Sequence, residues 1–234
     1  MTKRLFDIVV SFCGLLVLAP LIAIIASIIY AQDWHPPFYI APRVGVGGKK
    51  FAMVKFRSMI FEADKSGVMS TSSTDSRITP IGAFVRKWKL DEVVQLWNVL
   101  KGDMSLVGPR PNVEAGTRHY TPKELGLLKV RPGITDFASI VFADEGNIVC
   151  GHENADVAYD KLIRPWKSRL GLFYVEVQSL DVDVTLILLT LVALISRRRA
   201  LNAVAEELRK HGAPLDLVRT ALRIDRLDPA LPPT

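Results

Sequence analysis

The chain has 234 residues, a hydrophobic share of 49% and a formal net charge of +6. This length allows one sizeable core, or one core plus a membrane element. The positive charge indicates anionic partners, but no zinc-finger pattern and no basic run interleaved with aromatic residues is present, so nucleic acid is the least favoured of them. With Cys13 and Cys150 as its only cysteines, the chain lacks a disulfide framework and is typical of a reducing compartment.

The first predicted element is an apolar segment over residues 5–31, long enough as a helix to cross a bilayer core of about 30 Å. Pro20 lacks an amide donor and predicts a kink in the middle of this helix. Basic residues flank the segment on both sides, which gives a crossing helix no preferred orientation. We therefore favour a re-entrant membrane helix over residues 1–34, with a single-span anchor as the alternative; the length argues against a cleaved signal peptide.

Short strands and turns are predicted next. Strand-like runs at 38–40 and 51–54 flank the glycine cluster of residues 45–48, a pattern typical of a hairpin and not of a phosphate-binding loop. Lys55 and Arg57 follow at alternate positions, so they share one face if the second strand continues.

A polar segment over residues 62–76 predicts a mobile loop of the kind that often covers a site. A helical pattern follows from about Ala83 to a break near Leu90. The adjacent carboxylates Asp91 and Glu92 open the next helical segment, and Asp91 is predicted to cap it. Side chains of neighbouring residues inside a regular helix point about 100° apart. At the start of a helix the capping residue is not yet helical, so both acids can face one site.

Cations surround this acidic pair in the sequence. Gly102 is predicted to end the helix that follows the pair. Ordinary helix capping explains two acids at a helix start when nothing else is near. Here three cations precede the pair, and a proline-flanked arginine follows, a group that grips phosphate oxygens in a bidentate fork. The cations are Arg86, Lys87 and Lys89, and the loop consists of Gly108, Pro109, Arg110 and Pro111.

The last third is predicted to be largely helical. Thr121 and Glu124 form a capping box, and residues 143–160 are predicted to be an acidic surface loop. An apolar stretch over 184–195 is too short to span a bilayer and is followed by three arginines, which favours an interfacial or core helix. Residues 200–234 could be an amphipathic tail, a partner-binding element, or partly disordered after Pro229.

Two carboxylates among cations suit a divalent metal ion that bridges phosphates, and a carboxylate can attack phosphorus to form an acyl phosphate. No P-loop or kinase signature is present, which disfavours ordinary ATP chemistry. Specific motifs resemble the bacterial sugar transferase family from Lys3 to Arg199. They are Lys55-Phe56-Arg57-Ser58-Met59, Asp75-x-Arg77-Ile78-Thr79, Leu90-Asp91-Glu92-x-x-Gln95-Leu96-x-Asn98, Gly102-Asp103-Met104-Ser105, Val107-Gly108-Pro109-Arg110-Pro111 and Arg131-Pro132-Gly133-Ile134-Thr135.

The resemblance implies a helix-rich α/β (α+β) catalytic domain over residues 35–199. This domain would lie on the cytoplasmic face of the bacterial inner membrane, with a re-entrant N-terminal helix and interfacial amphipathic helices. The substrates implied are a UDP-sugar and polyprenyl (undecaprenyl) phosphate, and the reaction implied starts the assembly of a glycan, with UMP as the other product. The resemblance leaves open whether the protein forms a homodimer.

The resemblance also implies the site. Asp91 would be the nucleophile that forms an aspartyl phosphosugar, and Glu92, with Asp91 beside it, would hold Mg²⁺. The remaining implied residues bind substrate; they are Lys55, Arg57, Arg77, Arg86, Gly108, Pro109, Arg110 and Pro111. Two other classes of function stay open: a membrane-bound phosphodiesterase with the same groups, and a non-enzymatic module that docks on phosphorylated lipid. The identity of the sugar leaves no readable motif.

Three positions depart from the family pattern. Ala19 precedes Pro20 where many members have serine, and Asp136-Phe137 stands where many have Gly-Trp. Gly171 occupies a position that is aspartate in many members. If that aspartate holds metal or phosphate, either Asp160, Asp144 or another acid replaces it, or the role is dispensable.

Overall fold

The computed structural model describes residues 2–66 and 71–234, and within these ranges it is helix-rich with two small sheets. The α-helices are α1 (Thr2–Asp33), α2 (Pro80–Lys87), α3 (Leu96–Lys101), α4 (Glu114–Thr117), α5 (Phe137–Val141), α6 (Glu145–Ile148), α7 (Ala155–Leu162), α8 (Arg164–Val177), α9 (Leu180–Ile195), α10 (Arg197–Lys210) and α11 (Leu215–Leu222). The strands are β1 (Phe38–Val44), β2 (Lys50–Phe56), β3 (Ser105–Val107) and β4 (Gly133–Thr135). Short 3₁₀ helices span Val46–Gly48, Ala63–Ser66, Leu90–Gln95 and Glu124–Lys129.

β1 and β2 form the predicted hairpin and pair in antiparallel register along their whole length. The turn places Gly47 and Gly48 at φ of 63° and 79°, a region that glycine enters without steric cost. β2 ends at Phe56, so Arg57 leaves the sheet and does not share a strand face with Lys55.

A parallel pair, β3 with β4, brings two loops together just beyond the strand ends. Gly108 donates its amide hydrogen to the Thr135 carbonyl oxygen at 2.9 Å, and Gly133 donates to the Pro109 carbonyl oxygen at 3.0 Å. A Cβ on Gly133 would lie 2.0 Å from the Gly108 nitrogen, and one on Gly108 would lie 2.4 Å from the Arg131 carbonyl oxygen. Both positions require glycine because two backbones touch there, and this contact fixes the start of the loop after β3.

The structure bears on two further predictions, the capping box at Thr121 and the surface loop over residues 143–160. The reciprocal capping box at Thr121 and Glu124 is confirmed, with each amide bonded to the other side chain at 2.9 and 3.2 Å, but it starts a 3₁₀ helix. The surface loop predicted over 143–160 contains α6 and most of α7, because Asn154 caps α7 through its side-chain oxygen. Residues 67–70 of the polar segment predicted to be mobile lie outside the described residues.

The main core extends from the hairpin to the last two helices. One face of α10 and one face of α11 are buried in the cluster that also contains Phe137 and Tyr174. The predicted tail over residues 200–234 therefore packs on the main core through these two helices. The chain beyond Pro229 is bonded to α7 and α8, since the Ala230 amide donates to the Lys161 carbonyl oxygen at 3.0 Å. The buried tail residues are Ala200, Leu201, Val204, Ala205, Leu208, Leu217, Val218 and Ala221.

α1 is, among the described residues, the one helix long and apolar enough to cross a membrane by length and composition. Its helical assignment continues through Pro20. One face rests on the rest of the chain through Asp7, Ser11, Ile25 and Ile29, which are buried. The opposite face leaves apolar side chains exposed at helical spacing; they are Leu5, Val9, Phe12, Leu16, Val17, Leu21, Ile24 and Ile28.

Polar contacts fasten both ends of α1 to the same domain. Near the start, Asp7 accepts hydrogen bonds from the Ser105 hydroxyl and the Leu106 amide, both at 3.1 Å. At the end, the buried Arg57 guanidinium binds both carboxylate oxygens of Asp33 at 2.6 Å. Such bidentate arginine–carboxylate pairs have strict geometry, so the two ends of α1 are held in fixed positions on one folded unit.

The close approach of the two glycine backbones gives a test of the fold. Gly133→Ala is expected to destabilise the protein by about 1–3 kcal/mol or more, because its Cβ has only backbone to displace. Gly116→Ala is the matched control: its Cβ would lie 3.8 Å from the nearest atom, within α4, so it is expected to be neutral or slightly stabilising. Thermal unfolding of both variants makes the comparison, and equal melting temperatures would contradict it.

Candidate active site

The acidic pair lies on a 3₁₀ helix, and the prediction that Asp91 caps a helix is wrong. The chain leaves α2 at Trp88, turns at Lys89 in the left-handed region (φ 56°), and enters the 3₁₀ helix with Lys89 at its cap position. The amide of Glu92 donates to the Lys89 carbonyl oxygen at 3.3 Å, which is the first hydrogen bond of this 3₁₀ helix, and no side chain of the described residues caps it. The carboxylate of Asp91 is thus not used for local structure.

A cavity of about 1680 Å³ opens in front of this 3₁₀ helix. Charged side chains of both signs line it, as expected for a site that takes a highly charged ligand. Of the predicted site residues, the structure brings Lys55, Arg57, Arg77, Arg86, Asp91, Glu92, Arg110 and Pro111 to this wall. Gly108 and Pro109 do not line the cavity and instead hold the backbone that presents Arg110.

Asp91 has a free, buried carboxylate oxygen. Its Oδ1 has no hydrogen-bond partner within residues 2–66 and 71–234. Burial, and next the negative charge of Glu92, raise the pKa of Asp91 above its usual range, while Lys55 and Lys89 act in the opposite direction. A carboxylate that lacks donors and is more basic than usual keeps its lone pairs available for a new bond. This is the state that a nucleophilic carboxylate needs.

Glu92 has the opposite environment. Burial works to raise its pKa, but the charge of Arg110 and a hydrogen bond from the Arg110 guanidinium outweigh burial and lower the pKa to about 2. Glu92 in turn raises the pKa of Arg110. The pair therefore stays ionised, and two adjacent acids acquire different properties, which is the usual sign that they have different roles.

Lys55 approaches the acids from the end of β2. Burial, and next the charge of Arg110, lower the pKa of Lys55 to about 8. Its ammonium also lies 5.4 Å from the centre of the Tyr39 ring, within reach of a cation–π interaction. A buried lysine with few fixed partners gains from an arriving anion, so Lys55 is suited to bind a phosphate oxygen.

Three of the predicted arginines differ in how far they are already engaged. Arg57 is bonded to Asp33, as described above, so its guanidinium supports α1. Arg77 is paired with Asp75, whose carboxylate it binds at 2.6 Å. Arg86, from α2, has no hydrogen-bond or ion-pair partner in the described part of the chain, so it is the arginine most available to an anion in the cavity.

The sequence did not reveal a second ion pair, between Lys167 of α8 and Glu145 of α6. Burial works to raise the pKa of Glu145, but the charges of Lys167 and Arg110 lower it. Arg110 therefore lies in the field of three carboxylates, those of Glu92, Glu145 and Asp91. The only available signals were a lysine in a predicted helix and an acidic segment, and neither indicated the other as its partner.

Two departures from the family pattern have structural explanations. A Cβ on Gly171 would lie 2.9 Å from Leu127 and 3.5 Å from Pro109, so this position sits under the loop that carries Arg110. Asp136 caps α5 by accepting from the Ser139 amide at 2.7 Å. Among acids suggested as replacements for the family aspartate, Asp144 and Asp160 both line the cavity.

The residues present are compatible with Mg²⁺. The free Oδ1 of Asp91 and the carboxylate of Glu92 are oxygen ligands of the type that Mg²⁺ prefers. No group of three or more histidine, cysteine or acidic side chains with metal-binding geometry occurs among the residues that the structure describes. A metal here would need phosphate oxygens and water to complete its shell, as is common for Mg²⁺ at phosphate sites.

Comparison with known proteins identifies relatives for most of the chain. The family described as "Bacterial sugar transferase" matches residues 1–197, which confirms the resemblance drawn from the motifs. A Bacillus subtilis protein, provisionally named an undecaprenyl-phosphate N-acetylgalactosaminyl 1-phosphate transferase, is 47% identical over 118 residues, which are 50% of this chain and 66% of that protein. An undecaprenyl-phosphate glucose phosphotransferase from Komagataeibacter xylinus is 37% identical over 205 residues, or 85% of this chain and 36% of that protein.

A third relative comes from Aeromonas hydrophila and is named a UDP-N-acetylgalactosamine-undecaprenyl-phosphate N-acetylgalactosaminephosphotransferase. It is 34% identical over 179 residues, which are 73% of this chain and 42% of that protein. The chain thus spans between about one third and two thirds of the length of these three relatives. The helices α10, apart from its first residue, and α11 lie beyond the family match.

The lowered pKa of Lys55 predicts a pH dependence for anion binding. Lys55 carries its charge below about pH 8 and loses it above, so affinity for sulfate, whose own charge is constant in this range, is expected to fall by up to about tenfold per pH unit above that value. Calorimetric titration at several pH values measures this. Lys55→Arg, which stays charged, is expected to flatten the profile; an equally steep decline in that variant would assign the titration to another group.

Proposed function

Because the chain belongs to the bacterial sugar transferase family, we propose that it transfers a sugar 1-phosphate from a UDP-sugar to undecaprenyl phosphate through a covalent intermediate on Asp91. The observation that carries this proposal is the contrast within the acidic pair. Asp91 has a buried oxygen without a partner among the described residues, whereas the neighbouring Glu92 is held by Arg110. The names of the relatives support the same donor and acceptor classes.

In the first step, a carboxylate oxygen of Asp91 attacks the β-phosphorus of the UDP-sugar. A bond forms between this oxygen and phosphorus, and the bond from that phosphorus to the bridging oxygen of UMP breaks, so UMP leaves with the bond's electron pair. Lys55 and Arg86 neutralise charge on the diphosphate as it builds up on the leaving group. Arg110 keeps Glu92 ionised and in place during this step.

In the second step, a phosphate oxygen of undecaprenyl phosphate attacks the same phosphorus. The bond between phosphorus and Asp91 breaks, which restores the carboxylate and releases undecaprenyl diphosphate-sugar. Transfer in two steps suits a single cavity, because the nucleotide and the lipid need not be bound together. The product would start the assembly of a glycan such as an exopolysaccharide.

Mg²⁺, when bound, would supply positive charge to the diphosphate. Glu92 and Asp91 would hold it, with substrate oxygens completing the shell. No further acidic ligand is needed, because Mg²⁺ commonly keeps several water ligands.

We place the enzyme on the cytoplasmic face of the bacterial inner membrane, with α1 as a re-entrant helix. The same folded domain holds both ends of α1, through Asp7 and Asp33. If α1 crossed the bilayer, its ends would lie on opposite sides and this domain would have to extend through the bilayer with it. A re-entrant helix avoids this, because both of its ends lie on one side. The exposed apolar faces of α1 and α9 supply surface for the lipid side. Three arginines, Arg197 to Arg199, follow α9 and suit anionic headgroups.

The covalent intermediate is tested by intact-protein mass measurement. The protein is incubated with a panel of UDP-sugars and Mg²⁺ but without lipid acceptor, and it is expected to gain the mass of one sugar phosphate. Asp91→Asn is expected to show no gain, because an amide oxygen is a poor nucleophile. Asp181→Asn, which changes an exposed carboxylate outside the cavity, is the matched control and is expected to react like the natural chain.

Other outcomes of the same experiment separate the alternatives. Undiminished UMP release by Asp91→Asn would contradict the mechanism. Free sugar phosphate without any adduct would instead indicate a phosphodiesterase.

Chelation of divalent ions is expected to stop adduct formation, and Glu92→Gln is expected to raise the Mg²⁺ concentration needed for it. Adduct formation that continues in the presence of the chelator would contradict the role proposed for the metal.

A further inference from the structure

A second, apolar groove runs beside the charged cavity. Its volume is about 740 Å³, and it lies between the last turns of α1 and the segment that leads into α2. The α1 wall consists of Ile28, Ala31 and Gln32. The other wall consists of Ile60, Ser76, Ile78, Thr79, Pro80 and Ile81.

The groove and the cavity adjoin each other. Ile60, Ile78, Thr79 and Pro80 line both of them. A ligand can therefore place one end among the cations of the cavity and the rest along the groove. None of the described residues that line the groove is charged, whereas the cavity is lined by acids and cations, so the two compartments differ in polarity.

The groove also borders the surface that we assign to the membrane. Ile28 lines the groove and belongs to the exposed apolar face of α1. Tyr30 and Trp34 follow on the same helix end with exposed rings that contact edge to face. Such aromatic residues are typical of the level where lipid headgroups meet hydrocarbon, which is the level from which a lipid phosphate enters.

We propose that this groove binds the first isoprene units of the polyprenyl phosphate acceptor, with the phosphate in the charged cavity. This inference rests on the proposed function. The nucleotide sugar is polar at both ends and gains nothing from an apolar groove, whereas the acceptor carries a hydrocarbon chain directly next to its phosphate. Burial of that chain supplies affinity for the acceptor alone, and it directs the phosphate toward Asp91.

Blocking the groove from its exposed edges tests the proposal. Ala31→Trp on α1 and Ser76→Trp on the opposite wall add bulk at exposed positions, so neither is expected to affect folding. Displacing two methylene-sized groups from an apolar site lowers affinity about tenfold. Each variant is therefore expected to raise the KM for undecaprenyl phosphate at least about tenfold. Ala23→Trp, an exposed α1 position outside the groove, is the matched control for membrane binding.

The two half-reactions distinguish the possible failures. Formation of the sugar-phosphate adduct without acceptor is expected to proceed at the natural rate in all three variants. If the adduct forms and both groove variants keep the natural KM for acceptor, the groove assignment is wrong while the proposed function stands. If no adduct forms even in the natural chain, the proposed function itself fails. A rise in KM for the control equal to that of the groove variants would also contradict the proposal, since the effect would then come from membrane binding.

Discussion

The ion pair between Glu92 and Arg110 is the interaction on which the candidate site depends. Two neighbouring carboxylates in a buried site repel each other, and one of them would normally take up a proton. Arg110 settles which acid keeps its charge by binding Glu92, whose pKa falls to about 2, while the pKa of Asp91 stays raised. The Asp91 carboxylate is then not needed to hold the site together, and its buried Oδ1 has no hydrogen-bond partner in the described chain. A nucleophile and a fixed anion thus arise from adjacent residues.

Close packing of the backbone holds the loop that presents Arg110. The contact between Gly108 and Gly133 leaves no room for a side chain on either residue, and Pro109 rests against Gly171 from the other side. The same domain fixes the end of α1 through Arg57 and Asp33. The charged cavity, the apolar groove and the exposed face of α1 are therefore built on one folded unit, which favours the positioning of two large substrates.

Local features of the fold were readable in the sequence, whereas long-range pairings were not. The hairpin, the capping box at Thr121 and the end of α3 at Gly102 follow from turn and capping chemistry within a few residues. The motifs gave the family, and they named Asp91, Glu92 and Arg110. The predicted capping role of Asp91 was wrong because Lys89, in a left-handed conformation, turns the chain two residues after α2 ends. The pairing of Lys167 with Glu145 depends on helix packing, and sequence spacing carries no record of it.

The central claim is that Asp91, and not its neighbour Glu92, becomes bonded to the sugar phosphate. Hydroxylamine cleaves an acyl phosphate and leaves a hydroxamate on the carboxyl group that carried it. The protein is therefore loaded with UDP-sugar in the absence of acceptor, treated with hydroxylamine, digested, and sequenced by tandem mass spectrometry. We predict a hydroxamate on Asp91 alone; a hydroxamate on Glu92, or its absence from both residues in protein that has released UMP, would contradict the account.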